Sequence, residues 1–199
     1  MSGSVISFAL LGLFVAVAFA LWREGLWSAA IMLLNLLLAA TFATAWYERL
    51  VTFLMGRMPS YDYLLDFVSL WGLFAITLLV LREITDRVSR RKVRFRKPVE
   101  MFGCPVVAAV AAWIVVCFTA ASLHTAALPR DLIQPTPESK MFFGLEPDRR
   151  WLQWVRGSTA AGAPFAVPTR SFDPDADFIL RYATRRHQLE AQPELRVRK

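Results

Sequence analysis

Four long apolar runs, separated by short polar segments, dominate the first part of the chain. They extend over Val5 to Trp22, Leu26 to Tyr47, Leu64 to Leu81 and Met101 to Leu123. Each run is close to the roughly 20 residues of helix that cross a hydrocarbon core. The pattern predicts an all-α, polytopic membrane protein with four transmembrane helices, all within a transmembrane domain over residues 1 to 128.

The polar segment from Arg82 to Lys97 is the most basic part of the chain. It holds eight basic residues: Arg82, Arg87, Arg90, Arg91, Lys92, Arg94, Arg96 and Lys97. Short loops rich in Lys and Arg remain on the cytoplasmic side during insertion. We therefore expect a basic cytoplasmic loop over 82 to 97, facing anionic lipid headgroups, and an N-out and C-out topology.

The polar segment from Glu48 to Tyr63 opposes this orientation. It contains Arg49 and Arg57, yet the topology places it outside. Eight basic residues in one loop outweigh two in the other when the larger bias decides orientation.

A cleaved signal peptide is an alternative interpretation of the first apolar run. Ala16 and Ala18 would form its A-x-A site. However, the run lacks a basic n-region and is longer than a usual h-region. We expect the helix to be retained.

Composition and charge support the membrane assignment. The chain is 56% apolar and only 20% charged over 199 residues, which would be difficult to keep in solution. Its net charge of +7 would also suit nucleic-acid binding. Much of the excess lies in the loop beside the membrane, and no nucleic-acid-binding motif occurs, so we expect no nucleic-acid partner.

Two polar residues within the apolar runs are candidate functional positions. Asn35 lies near the middle of the second run, where its amide should point into the bundle. It would either form an interhelical hydrogen bond or line a polar pathway. Asp66 lies one turn inside the third run, near Tyr61 and Tyr63. We expect it at the membrane interface, where it reaches water, rather than in a buried proton-binding site.

Small residues recur at four-residue spacing in three of the runs. They are Gly12, Ala16 and Ala20, then Ala39 and Ala43, then Ala108 and Ala112. Such stripes allow close approach of helix backbones. They predict a compact bundle or a homo-oligomer.

The tail over residues 129 to 199 is rich in Pro, Gly and charged residues, with twelve basic and nine acidic side chains. We expect a periplasmic tail of short helices and extended segments. Pro147 and Asp148 can open a helix on which Trp151, Trp154 and Val155 share a face. This helix would lie in the outer interface or pack against the bundle.

Three aspartates alternate at Asp173, Asp175 and Asp177, as at the start of a calcium loop. The sixth and twelfth positions of such a loop, which need Gly and Glu, hold Phe178 and Thr184. The favoured interpretation is that the aspartates cap a helix that runs through Arg186.

The remaining candidate groups indicate no catalytic, metal or cofactor site. His124 is expected at the interface and His187 in solvent. The two cysteines, Cys104 and Cys117, are too far apart on one helix to pair. No motif for a hydrolase, a zinc protease or a phosphate-binding loop occurs.

The layout resembles the colicin V production protein family over roughly residues 5 to 128. The resemblance rests on the order of the helices, the turn at Trp22-Arg23-Glu24-Gly25 and the basic loop that leads through Phe102-Gly103 into the fourth helix. It implies a non-enzymatic bacterial inner-membrane protein linked to toxin production and envelope homeostasis.

Three hypotheses of function follow. The first is a scaffold or assembly factor whose tail contacts a periplasmic protein partner. The second is a small oligomeric channel or transporter that uses Asn35. The third, a membrane enzyme, is disfavoured and would depend on His124 and Asp66.

Overall fold

The computed structural model describes residues 2–57, 62–89, 95–128, 133, 136, 138–166 and 171–191. Over these residues the chain forms six helices and no strand. In chain order they are α1 Ser2–Glu24, α2 Leu26–Met55, α3 Asp62–Val88, α4 Lys97–Leu123, α5 Pro147–Thr159 and α6 Phe178–Ala191.

The four long helices follow the four apolar runs, and each is long and apolar enough to cross a membrane. This confirms the predicted all-α class. However, α2 continues past Tyr47 to Met55 and α3 continues past Leu81 to Val88. Hydropathy identifies the residues that can lie in hydrocarbon. It does not identify the ends of a helix, because backbone hydrogen bonds can continue the helix beyond the hydrocarbon core.

The predicted loop over residues 82 to 97 is therefore partly helical. Arg82 and Arg87 lie in the last turns of α3, and Lys97 begins α4. Pairs of opposite charge one turn apart support this helical extension, with Arg87 Nε 2.7 Å from Glu83 Oε1. Four basic residues of this segment lie outside the described part of the chain: Arg90, Arg91, Lys92 and Arg94.

Helices α2 and α4 form the centre of the bundle, with α3 against α2 and α1 against α4. The small residues predicted to permit close packing are fully or almost fully buried on these central helices: Ala39, Ala43, Ala108 and Ala112. On α1 the corresponding residues Gly12, Ala16 and Ala20 lie on the exposed side. The stripe on α1 therefore does not form a contact within the bundle.

The two ends of the bundle differ in chemistry. We call the end that holds Arg23, Glu24 and Lys97 the basic end, and the opposite end, which holds Asp66 and His124, the tail end. Helices α1 and α3 finish at the basic end, while α2 and α4 finish at the tail end. Helix α5 packs mainly on α4 and also contacts α2, so the tail covers the bundle.

Aromatic rings fill the core near the tail end. The Trp71 ring lies edge-on to Phe118 with centroids 5.3 Å apart, and Phe118 contacts Phe74 and Trp151 in turn. The indole Nε1 of Trp71 also donates to Ser122 Oγ at 3.1 Å. This cluster connects α3, α4 and α5, since each contributes a ring.

Candidate functional site

Two ion pairs join α6 of the tail to the bundle. Arg185 pairs with Asp66 on α3, and Arg181 Nη1 lies 3.0 Å from Glu48 Oε1 on α2. The sequence predicts that Asp66 reaches water, but its side chain is only 7% exposed because α6 covers it. A buried carboxylate requires a compensating cation, so Arg185 fixes the position of α6 on the bundle.

A pair of tyrosines lies beside these ion pairs. The hydroxyl oxygens of Tyr47 on α2 and Tyr182 on α6 are 3.1 Å apart, and both side chains are buried. Burial raises the pKa of the Tyr182 phenol, and the negative charge of Asp66 raises it further. The Tyr182 hydroxyl therefore keeps its proton and can donate or accept a hydrogen bond.

Helix α5 packs against the bundle rather than lying apart in the interface. The indole of Trp151 donates to Thr44 Oγ1, and that of Trp154 donates to Thr41 Oγ1, both at 3.1 Å. Each threonine hydroxyl donates in turn to a carbonyl one turn earlier in α2, so its oxygen is free to accept. These contacts favour the second of the two predicted positions for α5.

A second connection joins α4 to the start of α5. His124 Nε2 lies 3.0 Å from Asp148 Oδ2, and both side chains are fully buried. The His124 carbonyl accepts from Arg186 Nη1 on α6 at 3.0 Å. His124, predicted at the interface, is fully buried because the tail encloses it, whereas His187, predicted in solvent, is exposed.

Of the three aspartates predicted to cap and charge the first turn of this helix, Asp173 makes the capping contact, while the first turn of α6 itself, from Phe178, holds no acidic residue. Its Oδ1 accepts from the backbone N–H groups of Asp177 at 3.0 Å and Phe178 at 3.1 Å. Burial raises the pKa of the Asp173 carboxyl, and the neighbouring Asp177 carboxyl adds to this effect. Among the described residues no group of three or more His, Cys, Asp or Glu side chains could hold a metal ion.

A cavity of about 490 Å³ opens where α6 meets the end of α2. Its charged lining consists of Glu48, Arg49, Asp66, Arg181 and Arg185. The volume is within the range of small-molecule sites. However, the two carboxylates lie within the ion pairs that hold α6, so this cavity forms the open edge of the tail contact.

Asn35 lies in the half of α2 that is nearer the basic end. It is 3% exposed, and its Nδ2 donates to Thr85 Oγ1 on α3 at 3.0 Å. The amide therefore makes a hydrogen bond between two helices. It also lines a cavity of about 370 Å³ that lies between α2 and α3 at this end.

The described part of the basic segment presents its cations to the surroundings. The Arg82 and Arg87 side chains are 54% and 75% exposed, and Arg96 and Lys97 are exposed as well. This exposure is compatible with contact to lipid headgroups at the membrane surface.

Sequence reasoning missed the partners on α2 that receive the tail. Thr41, Thr44 and Tyr47 recur at three-residue spacing, and Glu48 follows directly. Residues three or four apart share one helix face. A polar stripe within an apolar helix was the available signal that something polar covers this face.

Comparisons with protein-family models, with curated proteins and with solved structures find nothing that matches this chain.

Proposed function

We propose that the chain is a non-enzymatic scaffold or assembly factor of the bacterial inner membrane. It would be of the colicin V production type, acting in toxin production and envelope homeostasis. In this proposal the basic segment faces the cytoplasm and anionic lipid, and the tail contacts a periplasmic protein.

The observation that carries this proposal is the fixed attachment of the tail. Arg185 and Arg181 pair with carboxylates on two different helices, Asp66 on α3 and Glu48 on α2. Because the two attachments are on separate helices, they restrict the rotation of α6 as well as its distance from the bundle. A tail held in this way can present one surface to a partner, whereas a flexible tether could not.

The outer surface of the tail offers groups suited to such contact. Trp154 and Leu180 are 47% and 58% exposed, and Arg150 and Gln153 on α5 are exposed beside them. Exposed aromatic side chains among arginines are typical of protein interfaces.

Photo-crosslinking in cells tests this function. A crosslinking amino acid at Leu180, on the exposed side of α6, should capture a defined partner in the wild-type protein, and Arg185→Ala should reduce the yield because it releases α6. Replacement at Met32, far from the tail, is the positional control. Unchanged partners and phenotype after deletion of residues 129 to 199, at equal protein level, would refute the scaffold role.

A small oligomeric channel or transporter is the second candidate. It is favoured by the buried amide of Asn35 beside the polar cavity at the basic end. Purified protein in liposomes should then show solute flux that Asn35→Leu abolishes. Absence of flux across a broad panel of solutes would count against this candidate.

A further inference from the structure

The cavity at the basic end has an unusual lining for a lipid-facing surface. It lies between the end of α1, the first turns of α2 and the last turns of α3, and measures about 370 Å³. Its lining includes the charged residues Glu24, Arg82 and Asp86, the amide of Asn35, and the apolar residues Ile31 and Met32. Charged and polar groups therefore share the cavity with two apolar side chains.

The charges in this lining have both signs. Among the described lining residues, Glu24 and Asp86 supply two carboxylates, and Arg82 supplies a guanidinium. Arg82 Nε is 3.7 Å from Asp86 Oδ2, and both side chains are more than half exposed within the open cavity. A headgroup that carries both charges meets a complement for each, since its cation can face the carboxylates and its anion can face the guanidinium.

Hydrogen bonds hold the polar floor in place. Asn35 Nδ2 donates to Thr85 Oγ1 at 3.0 Å, and Trp27 Nε1 donates to Ser89 Oγ at 2.8 Å. The first bond connects α2 to α3, and the second connects α2 to Ser89, directly after α3. These bonds hold the polar side chains of the floor in place, and the more exposed carboxylates of Glu24 and Asp86 lie around them.

The position of the cavity along the helices indicates the kind of molecule that can reach it. Its charged residues lie at the ends of helices that can span the membrane, where the headgroup layer borders the hydrocarbon core. Ile31 and Met32 continue the lining toward that core. An amphiphile with a charged head and an apolar body fits both parts of the lining.

We infer that this cavity binds the headgroup of an aminophospholipid. The primary ammonium group donates to Glu24 and Asp86, and the phosphate accepts from Arg82. A phosphatidylethanolamine headgroup carries both charges and three N–H donors. A phosphatidylcholine headgroup carries the same charges without an N–H donor and so loses the charge-assisted hydrogen bonds.

Native mass spectrometry of the full chain, released from nanodiscs with equal phosphatidylethanolamine and phosphatidylcholine, tests this inference. We expect about tenfold greater retention of the ethanolamine lipid, the ratio that one charge-assisted hydrogen bond supplies. The double variant Glu24→Gln, Asp86→Asn should retain the two lipids equally. Equal retention by the wild-type protein would overturn the inference.

Two further variants separate binding from folding. Glu83→Gln makes the same change of charge on α3 but pairs with Arg87 outside the cavity, so it should preserve the preference. Arg82→Gln should weaken retention of both lipids alike, since both carry phosphate. A preference lost in Glu83→Gln, or kept in the double variant, would contradict the assigned carboxylates.

Soluble glycerophosphoethanolamine tests whether the ligand is a complete membrane lipid or a free headgroup. Because the aliphatic part of the lining contributes only to binding of the complete lipid, we expect the soluble headgroup not to compete at equal concentration. Displacement of the lipid by an equal concentration of this compound would overturn the membrane source.

Discussion

Arg185 on the last helix of the tail pairs with Asp66, a buried carboxylate on the third helix of the bundle. Removal of the guanidinium by Arg185→Ala would take away the cation that α6 places beside the buried carboxylate of Asp66. Because Arg185 is itself partly exposed, we expect a loss of about 2 kcal/mol in the free energy of unfolding, below the range for fully buried pairs. Denaturant unfolding in detergent and protease cleavage before α6 would measure this effect.

The matched control for this variant is Arg87→Ala. It removes an arginine from a pair with Glu83 in which both side chains are largely exposed. Its expected effect is about 0.5 kcal/mol or less. Similar losses in the two variants would show that the Asp66 pair does not hold the tail.

The indole of Trp151 combines a buried ring with a hydrogen bond to Thr44. Trp151→Phe keeps a six-membered aromatic ring but removes the five-membered ring and its N–H donor, so we expect a loss of about 1–2 kcal/mol. Trp151→Ala should cost about 3 kcal/mol or more. Thermal unfolding would measure both, and Trp154→Ala, at a half-exposed position, should cost less than Trp151→Ala.

Gly25 joins α1 to α2 with a φ of 89°, a conformation that L side chains rarely adopt. A Cβ at this position would also lie 3.3 Å from Glu100 Oε1. Gly25→Ala should therefore destabilise the hairpin by about 1–2 kcal/mol. Gly12→Ala is the control, since no atom lies within 4 Å of its added Cβ; an equal loss there would contradict the backbone explanation.

The contribution of the α6 cap to the free energy of unfolding depends on pH. Since the pKa of Asp173 is raised in the folded state, the folded chain binds a proton more readily than the unfolded chain. The contribution of Asp173 to stability is therefore greatest below its ordinary pKa of 3.8 and falls as pH rises through the raised value. Unfolding of α6 followed by hydrogen exchange across this range would show the decline.

Two substitutions separate the charge of Asp173 from its capping role. Asp173→Asn keeps an oxygen acceptor for the N–H groups of Asp177 and Phe178 but cannot ionise, so this decline should disappear. Asp173→Ala removes the acceptor and should cost about 1 kcal/mol. A pH dependence that persists in the asparagine variant would point to another group.

Reporters active on one side of the membrane test the proposed orientation. Fusions after Arg57 and after Lys199 should report an external position, while a fusion after Lys97 should report the cytoplasm. Eight basic residues in one segment provide the physical reason. A cytoplasmic carboxyl terminus would contradict the orientation and move the search for partners to cytosolic proteins.

The apolar runs predicted the number and the order of the long helices because burial in hydrocarbon and helix formation coincide there. They could not predict that α2 ends at Met55, since Glu48 and Arg49 interrupt the apolar pattern while the helix continues through them. Asp173 was predictable as a cap because its partners are its own neighbours in the chain.

The environments of His124 and Asp66 could not be predicted in the same way. Each lies at the end of an apolar run, where hydropathy alone indicates access to water. Their burial depends on Asp148 and Arg185, which are far along the chain and meet them only after the tail packs. Spacing within one helix contains no information about such contacts.

The length of α2 has a consequence for assembly. Its 30 residues span about 45 Å, whereas the hydrocarbon core is about 30 Å thick, so part of the helix stands beyond the core. The buried side of the tail finds its partners on this helix and on α3 and α4, none of which is in place before insertion. Docking of the tail must therefore follow insertion and pairing of the helices, which makes protection of the tail from protease a reporter of a correctly assembled bundle.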